Sequence, residues 1–351
     1  MSDQASPRCS FIVAGDPGQR TGGYRYDAFI VDGLRERGWK VEVMGLAGRF
    51  PVPDELAWEA LDRALTDLPD DSRVVIDGLA MGGLPDVIQT HAGRLRIIAL
   101  VHHPLADESD IGSVQRMLFL RSEAEALAAV AAVVTTSAFT ARRLQDFGVA
   151  SSRISVVVPG VQAAPVAVGG HHPLRMLCVA TITPRKGHEV LVAALQRLEK
   201  LDWECVCVGS LLRDPLHAQR IARQIQDAGL ADRMRLYGEM ADVELAGAYA
   251  AADCFVLASR YEGYGMVITE ALARGLPVVC TRGGALAETL PPEAGLLVAV
   301  DDVDALADAL RRMIEEPALR KRLRDGARKA RDGLRDWADA AAEFARVLDS
   351  V

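Results

Sequence analysis

The stretch Arg260-Tyr-Glu-Gly-Tyr-Gly-Met-Val-Ile-Thr-Glu270 is the part of this chain from which its fold can best be predicted. The apolar run Cys254-Phe-Val-Leu-Ala258 precedes it, and a short run of this kind is typical of a buried parallel strand. Gly263 and Gly265 permit a tight loop after the strand, because glycine adopts backbone angles that other residues avoid.

A helix and a second strand are expected after this loop. Apolar residues recur at helical spacing from Met266 to Arg274. Gly275 stands where a left-handed C-cap belongs, and Pro277 prevents the helix from continuing. Leu276 to Cys280 is the next apolar run. The order strand, glycine loop, helix, strand predicts an α/β fold with a doubly wound parallel sheet.

The start of this helix is suited to bind a phosphate or a diphosphate. Its first backbone N–H groups have no acceptor inside the helix and lie at the positive end of the helix dipole. Glu262 and Glu270 would repel a bare phosphate, so we expect both to accept hydrogen bonds from sugar or ribose hydroxyls. The pattern predicts a nucleotide-sugar pocket lined by Glu262, Gly263, Tyr264, Gly265, Met266, Val267 and Glu270.

The extended motif S-R-Y-E-G-Y-G-M-V-I-T-E-A-L-A-R-G-L-P-V-V resembles the donor site of retaining glycosyltransferases of family four, which have the GT-B fold. The glutamate pair alone is a weak signal. Together with the glycines, the Pro-Val-Val tail and the preceding strand it is a specific one. The alternative is an ordinary α/β unit with two solvated glutamates.

Length and composition limit the class of protein. A chain of 351 residues is about two domains long, and its net charge of -8 without a basic block argues against binding to nucleic acid. No apolar run reaches the ~20 residues of a membrane span, and the N-terminus lacks the apolar core of a signal peptide. The six scattered cysteines are typical of reduced thiols in strand cores, so we expect a cytoplasmic protein. Peripheral contact with the inner membrane face stays open.

The first half of the chain repeats the strand, loop and helix pattern. Residues 10–14 predict a strand, residues 16–24 a loop, and Tyr26 to Arg37 a helix. Gly22 and Gly23 permit close approach of a ligand at the helix start, although a plain loop explains them equally well. The family resemblance implies that this glycine pair lies near the donor phosphates and the acceptor.

Two histidines, His102 and His103, follow the predicted strand Arg96 to Val101. Residues just beyond the carboxyl end of a parallel strand face the ligand in open α/β sheets. A single histidine there is more often structural, but a pair favours a functional role. The resemblance implies that one of them contacts the donor sugar. His102 fits that place, and His103 is the alternate.

In the second half, Thr181-Ile-Thr-Pro-Arg-Lys-Gly-His188 connects a strand to a helix. It resembles the family loop whose arginine and lysine bind the donor diphosphate. Lys186 matches the lysine, whereas Thr181 stands in the place of the arginine; Arg185 is the candidate substitute. The resemblance also implies that the loop from Gly238 to Met240 frames the nucleotide base.

No metal site or cofactor is expected. The triplet Asp302-Val-Asp304 has the form of a metal-binding D-x-D motif, but it is more typical of a helix N-cap before Ala305. Cys205 and Cys207 would share one face of a strand without further ligands, which favours a core position.

The resemblance implies two Rossmann-like doubly wound parallel-sheet domains that face each other across a cleft. We expect an acceptor-side domain at residues 1–165, a nucleotide-sugar donor domain at residues 166–332, and a C-terminal helix at residues 333–351 that crosses back onto the first domain. The linker is predicted at residues 162–173, with a flexible Gly-Gly-His-His segment at residues 169–172.

The implied reaction moves a hexose-type sugar from a nucleotide diphosphate sugar, UDP favoured over GDP, to an acceptor hydroxyl on a saccharide, a lipid-linked molecule or a small molecule. The anomeric configuration is retained, and the leaving diphosphate takes the acceptor proton on the same face without a metal. The implied roles are sugar positioning for Glu262 and His102, ribose binding for Glu270, and charge balance for Lys186 and Arg185. A nucleotide-sugar epimerase and a catalytically silent sugar-nucleotide binding subunit are the alternatives.

Overall fold

The computed structural model describes residues 6–109 and 111–351, which form two compact units. Unit 1 contains the chain up to Gly160 together with Arg335–Val351, and unit 2 contains Val161–Leu334. The boundaries predicted from the sequence, 165/166 and 332/333, differ from these by a few residues. The strands are β1 (Arg8–Ala14), β2 (Lys40–Leu46), β3 (Arg73–Asp77), β4 (Arg96–Val101), β5 (Ala132–Thr135), β6 (Ile154–Val156), β7 (Leu174–Val179), β8 (Trp203–Val208), β9 (Met234–Leu236), β10 (Cys254–Leu257), β11 (Val278–Thr281) and β12 (Gly295–Val298).

Helices connect the strands in both units. They are α1 (Gly22–Glu36), α2 (Glu55–Thr66), α3 (Gly78–Met81), α4 (Pro85–Ala92), α5 (Ser113–Ala129), α6 (Ala138–Gln145), α7 (His188–Gln196), α8 (Pro215–Asp227), α9 (Asp242–Ala250), α10 (Met266–Ala273), α11 (Leu286–Thr289), α12 (Val303–Glu315), α13 (Pro317–Arg331) and α14 (Trp337–Ser350). Short 3-10 turns lie at residues 105–107, 151–153 and 184–186.

Each unit is built on a parallel sheet of six strands, as expected for a doubly wound fold. The strand order is β2-β1-β3-β4-β5-β6 in unit 1 and β9-β8-β7-β10-β11-β12 in unit 2. In both sheets the direction of winding changes once, between β1 and β3 and between β7 and β10. Ligands of open α/β sheets bind beyond the carboxyl ends of the strands at such a switch point. The topology therefore indicates the loops after β1 and β3, and those after β7 and β10.

The interiors of both sheets are apolar, as the continuous hydrophobic strands predict for parallel strands covered by helices on both faces. In unit 2, Cys205 and Cys207 are both buried on β8, as the sequence analysis predicted, and Cys178 on β7 lies in register with Cys207. The Cys207 thiol and burial raise the pKa of Cys178. At Cys207 the hydrogen bond with Cys178 lowers the pKa, but the Cys205 thiol and burial outweigh it and raise the pKa.

The C-terminal helix α14 packs on α1 within unit 1. Gly33 makes this possible, because a Cβ atom there would lie 2.4 Å from the Cβ atom of Ala341. The Trp337 ring stacks on Phe29 at a centroid distance of 4.4 Å, and Phe344 is fully buried. Trp337 is thus the first residue of this helix and an anchor of it.

Two helix starts differ from those predicted. Helix α1 begins at Gly22, so the glycine pair forms its first turn and does not belong to the preceding loop. The Ala-rich run from Glu123 to Ala132 predicts a helix of its own, but helix α5 already begins at Ser113. Its first turns expose the large apolar side chains of Val114, Met117 and Leu118, which obscures the amphipathic pattern on which such a prediction depends.

The linker segment that was predicted to be flexible is held by hydrogen bonds. The buried carboxylate of Asp253 accepts from the backbone N–H groups of Gly170 at 2.5 Å, His171 at 3.1 Å and Arg175 at 2.9 Å. A buried charge stabilised by several amides fixes the path of the chain. Asp253 directly precedes β10, so the linker is joined to the strand that leads into the donor motif.

No helix among the described residues is both long enough and apolar enough to cross a membrane.

Candidate active site

The loops after β7 and β10 meet at the switch point of unit 2. Gly187 adopts a left-handed conformation (φ 63°), and a Cβ atom on it would lie 2.2 Å from the carbonyl oxygen of Ala258. Only glycine permits this approach, which brings the turn at residues 184–186 against the end of β10. The backbone N–H of Arg260 also donates to the carbonyl of Arg185 at 2.8 Å.

Glu262 is the centre of this site. Its carboxylate is buried and accepts hydrogen bonds from Lys186 Nζ at 2.6 Å and from Ser259 Oγ at 2.6 Å. Arg185 lies 3.5 Å from the other carboxylate oxygen and donates to the carbonyl of Tyr261 at 2.8 Å. Burial raises the pKa of Glu262, but the charges of Lys186 and Arg185 outweigh it and lower the pKa to about 2. The carboxylate is therefore ionised at every physiological pH.

The backbone of Glu262 is fixed by the glycine pair after β11. Ala285 N–H donates to the carbonyl of Glu262 at 2.8 Å. A Cβ atom on Gly284 would lie 2.3 Å from that carbonyl oxygen, and one on Gly283 would lie 2.4 Å from the carbonyl oxygen of Ser259. The glycine pair Gly283–Gly284 thus supports the loop that carries Glu262 by backbone packing.

Glu270 lies on α10 and its carboxylate is oriented by a buried tyrosine. Tyr249 OH donates to Glu270 Oε2 at 2.9 Å, and the Arg274 guanidinium lies over the Tyr249 ring at 4.2 Å. The carboxylate is partly exposed, so it can still accept from a ligand. Nothing in the local sequence predicted Tyr249, because it comes from α9.

The start of α10 has the geometry that the sequence predicted. Gly265 is left-handed (φ 94°) at the N-cap, and Met266 and Val267 form the first turn, so their N–H groups have no intrahelical acceptor. The backbone carbonyl of Tyr264 accepts from Thr289 Oγ1 at 2.6 Å, and Gly263 completes the loop, partly exposed.

The remaining predicted residue pair of unit 2 lies after β9. Gly238 is left-handed (φ 71°), and its carbonyl accepts from Gly209 N–H at 2.8 Å. Gly238 and Met240 are both partly exposed. This loop follows a strand of the same sheet as the donor motif, on the carboxyl side.

The predicted residues of unit 1 also come together. His102 lies directly after β4, and its Nε2 atom is 3.0 Å from Oδ1 of Asp27 on α1, a carboxylate oxygen that can accept a hydrogen bond from the ring. A Cβ atom on Gly23 would lie 3.1 Å from the His102 ring, whereas one on Gly22 would meet nothing within 4 Å. Gly23 therefore has a packing reason to be glycine, whereas Gly22 has none among the described residues.

His103 turns to a different partner, because its Nε2 atom lies 3.3 Å from Glu108. The loop that carries both histidines is held by the buried Glu123, whose two carboxylate oxygens accept from Leu105 N–H at 2.8 Å and Ala106 N–H at 3.1 Å. Burial outweighs these hydrogen bonds and raises the pKa of Glu123 to about 7.

Two family descriptions cover most of the sequence. Residues 170–330 match the family described as "Glycosyl transferases group 1", and residues 25–164 match "Glycosyltransferase Family 4". The D-inositol 3-phosphate glycosyltransferase of Acidothermus cellulolyticus is 31% identical, and the match covers 86% of this chain and 80% of the relative. The chain belongs to the family-four glycosyltransferases.

Other relatives agree with this assignment. The MMP alpha-(1->4)-mannosyltransferase of Mycolicibacterium hassiacum is 28% identical to this glycosyltransferase, and the match covers 86% of this chain and 76% of the relative. Among solved structures, the sucrose-phosphate synthase of Thermosynechococcus elongatus has a TM-score of 0.83 at 22% identity and covers 98% of both chains. Anabaena HepE in complex with UDP-glucose has a TM-score of 0.76 at 17% identity over 97% of this chain and 100% of the other. These likenesses establish the GT-B fold predicted from the sequence.

The glycosyltransferase contains functional candidates that sequence reasoning missed. Three of them are hydrogen-bonded to a predicted site residue: Asp27 to His102, Tyr249 to Glu270 and Ser259 to Glu262. The fourth, Asp77, lies beside His102. Asp27 could have been found, because it is a carboxylate on the otherwise apolar inward face of α1. Tyr249 and Asp77 give no such signal without the fold.

The D-x-D triplet has the structural role that was expected of it. Asp302 Oδ1 accepts from Ala305 N–H at 2.9 Å and caps α12. Soft metal ligands meet deep in unit 2, where His188 Nε2 lies 3.8 Å from Cys178 Sγ and near Cys207. All three side chains are buried, and the raised pKa of both thiols favours the protonated form, which binds metal poorly.

Proposed function

We propose that this glycosyltransferase moves a hexose-type sugar from a nucleotide diphosphate sugar to an acceptor hydroxyl, with retention of the anomeric configuration and without a metal ion. UDP is the favoured nucleotide. The observation that carries the proposal is the convergence of Lys186, Arg185 and Glu262 at the switch point of unit 2, beside the free amides of α10.

The cations at this site are arranged to receive a diphosphate. Lys186 and Arg185 balance the charge of Glu262 in the protein alone, and both are partly exposed. A bound diphosphate adds negative charge next to the same cations, and their attraction grows as the leaving group separates from the sugar. Stabilisation that increases toward the transition state accelerates the reaction.

Arg185 takes the place of the arginine that is absent at Thr181. Its guanidinium and the Lys186 ammonium are bound by the two oxygens of one carboxylate, which fixes both cations on one side of the turn. Glu262 and Glu270 then accept from hydroxyls of the sugar and the ribose, and backbone N–H groups of α10 donate to the phosphates. The loop from Gly238 to Met240 frames the base.

In unit 1, His102 contacts the sugar, and His103 is the alternate for this role. Gly22 and Gly23 lie at the start of α1 and permit close approach of the donor. The acceptor is a hydroxyl compound. The leaving diphosphate takes the acceptor proton on the face from which it departs, so no residue of this chain has to act as a nucleophile.

A turnover assay with donor panels tests the proposal. The purified protein is incubated with UDP- and GDP-linked hexoses, with and without EDTA, and nucleotide release and product anomer are measured. We expect nucleotide release that EDTA does not abolish and that is faster with a UDP sugar than with a GDP sugar. The anomeric configuration of the transferred sugar in the product should be the same as in the donor. Inversion of the anomer or complete loss of activity with EDTA would contradict the mechanism, and epimerised donor without transfer would contradict the assignment.

Variants in the same assay test the two cations. Lys186→Ala should lower kcat on the order of 10²-fold, the typical loss for one group that stabilises transition-state charge. It also leaves the buried Glu262 with one cation fewer, so Tm must be recorded with it. Arg185→Ala should lower kcat too, and adding Thr181→Arg should recover part of the rate. Lys200→Ala, on the exposed end of the segment after α7, is the matched control.

A further inference from the structure

Two buried carboxylates flank His102 in unit 1. Asp27 comes from α1, Asp77 from the end of β3, and His102 from the residue after β4. Asp27 and Asp77 are each 5% exposed, and one side-chain ligand atom from each of the three residues lies within 4.8 Å of the others. The switch point of this sheet, between β1 and β3, therefore holds an acid–imidazole cluster.

The carboxylate oxygens of the cluster are not all hydrogen-bonded within the described part of the chain. Oδ1 of Asp27 lies 3.0 Å from His102 Nε2, but the buried Oδ2 atom has no hydrogen-bond partner among the described residues. Asp77 Oδ1 accepts from Leu79 N–H at 3.1 Å. Two buried carboxylates without a cation repel each other, whereas a positively charged imidazole beside them compensates one charge.

The titration of both groups agrees with this geometry. Burial and then the charge of Asp27 raise the pKa of Asp77 to about 6. Burial lowers the pKa of His102, but Asp27 and Asp77 outweigh it and leave the pKa above its ordinary value. The cluster holds its protons on the imidazole and on Asp77 to a higher pH than either group would alone.

The His102 ring is also held in one orientation. Gly23 lies so close that an added Cβ atom would be 3.1 Å from the ring, and Tyr26 packs edge-on at a centroid distance of 5.3 Å. Nε2 is directed to Asp27, and Nδ1 makes no hydrogen bond to a described residue. The side chain keeps 18% of its surface exposed, so Nδ1 is the nitrogen that remains for a ligand.

We propose that Asp27 and Asp77 are positioning residues for His102, which fix its Nε2–H on Asp27, retain its positive charge and present Nδ1–H to an oxygen of the bound sugar nucleotide. This rests on the proposed function in so far as His102 contacts the donor. No proton leaves the ring during the reaction. The two carboxylates keep the His102 ring positively charged and fix its orientation.

Other titratable groups among the described residues lie near the cluster, but each is neutral or has its own partner. Tyr26 on α1 is fully buried, and burial followed by the charge of Asp27 raises its pKa well above the ordinary value, so it stays neutral. On α14, Glu343 is paired with Arg335 at 2.7 Å. His103 is paired with Glu108. None of these replaces Asp27 or Asp77 as a partner of the His102 ring.

The first test reads the ring directly. Side-chain ¹⁵N NMR of the full-length protein with a chelator present follows the histidines from pH 5 to 9, and loss of one signal in His102→Gln assigns His102. In the wild type we expect the ring to titrate above about 6.5, the value of a free histidine, with its proton on Nε2 in the neutral form. A lower value or an Nδ1–H tautomer overturns the proposal, and this measurement needs no carboxylate variant to fold.

Variants show whether the His102 pKa depends on Asp27 and Asp77 specifically or on the loss of any nearby negative charge. Asp27→Asn should lower the His102 pKa by about one unit or more, a tenfold change in acid dissociation, and Asp77→Asn should lower it by less. Asp32→Asn is the control, because Asp32 lies on the same helix but is 69% exposed and pairs with Arg35. An unchanged His102 pKa in Asp27→Asn, or an equal shift in Asp32→Asn, overturns the proposal.

Kinetics distinguish this inference from the proposed function. If protonated His102 binds the donor, kcat/KM for the donor should fall as pH rises through the His102 pKa, and Asp27→Asn should move that fall to lower pH by the amount NMR reports. A ring pKa that shifts without any change in the pH profile supports the positioning by Asp27 and overturns the role of His102 in donor binding.

Discussion

At the scale of single residues, Glu262 illustrates how neighbouring cations keep a buried carboxylate ionised. Burial alone would hold a carboxyl group neutral, yet Lys186 and Arg185 keep it ionised. The three side chains form one unit, and each depends on the other two. The sequence predicted all three as site residues, because each matches or neighbours a motif position. It did not predict that Glu262 pairs with the two cations, because Glu262 lies more than seventy residues from both along the chain.

The pH dependence of stability should report this pairing. The pKa of Glu262 is lowered from 4.5 to about 2 on folding, so its contribution is complete above pH 4.5 and is lost as pH falls toward 2. The shift corresponds to at most about 3 kcal/mol. Urea unfolding of Glu262→Gln and the wild type should therefore differ more at pH 7 than at pH 3. Glu199→Gln, an exposed glutamate of unit 2, should show no such trend. A difference that is the same at both pH values would mean that the ion pairs do not stabilise the fold.

At the scale of elements, the glycine loops decide where the functional groups lie. The helix after β10 begins and ends within a residue of its predicted bounds, because left-handed Gly265 and Gly275 determine both ends. Helix α1 is predicted less well, since the sequence pattern predicts a start at Tyr26, whereas Gly22 and Gly23 form the first turn of the helix. Glycine signals a special backbone conformation or a close approach, and the sequence does not say which. In the structure the two kinds can be told apart.

Gly22 and Gly23 give a matched pair of variants. Gly22→Ala meets no atom within 4 Å, so we expect unchanged or slightly higher stability and, if a ligand approaches this turn, weaker donor binding. Gly23→Ala must displace the His102 ring by a few tenths of an ångström, so we expect lower stability and an altered His102 signal. Thermal unfolding and donor titration measure both. Unchanged donor affinity in Gly22→Ala would remove Gly22 from the binding site.

At the scale of the whole molecule, the fold class followed from local patterns, but the long-range contacts did not. Repeated units of strand, loop and helix predict two doubly wound sheets, and the structure contains them. The bond between Asp27 and His102 and the attachment of the linker to Asp253 join residues 75 or more positions apart. Such pairs depend on strand order and register, which periodicity does not encode.

Unit 1 is discontinuous in sequence, so its stability depends on α14. Gly33→Val would place side-chain atoms where Ala341 lies, and overpacking of this kind typically costs about 1–3 kcal/mol. We expect a lower Tm and easier proteolysis of the C-terminal segment. Gly93→Ala, where an added Cβ atom meets nothing within 4 Å, is the control in the same unit. Equal Tm values for Gly33→Val and the wild type would show that α14 does not stabilise unit 1.

The return of the chain to unit 1 also sets an order of events during biosynthesis. The face of α1 at Gly33 is translated early, whereas the helix that covers it, Trp337–Ser350, is translated only after all of unit 2. Domains generally fold in the order in which they are synthesised, but here unit 1 cannot be completed until unit 2 has been made. A nascent chain of this enzyme therefore carries an uncovered apolar surface on α1 while all of unit 2 is made, and transiently exposed apolar surface of this kind is prone to aggregation.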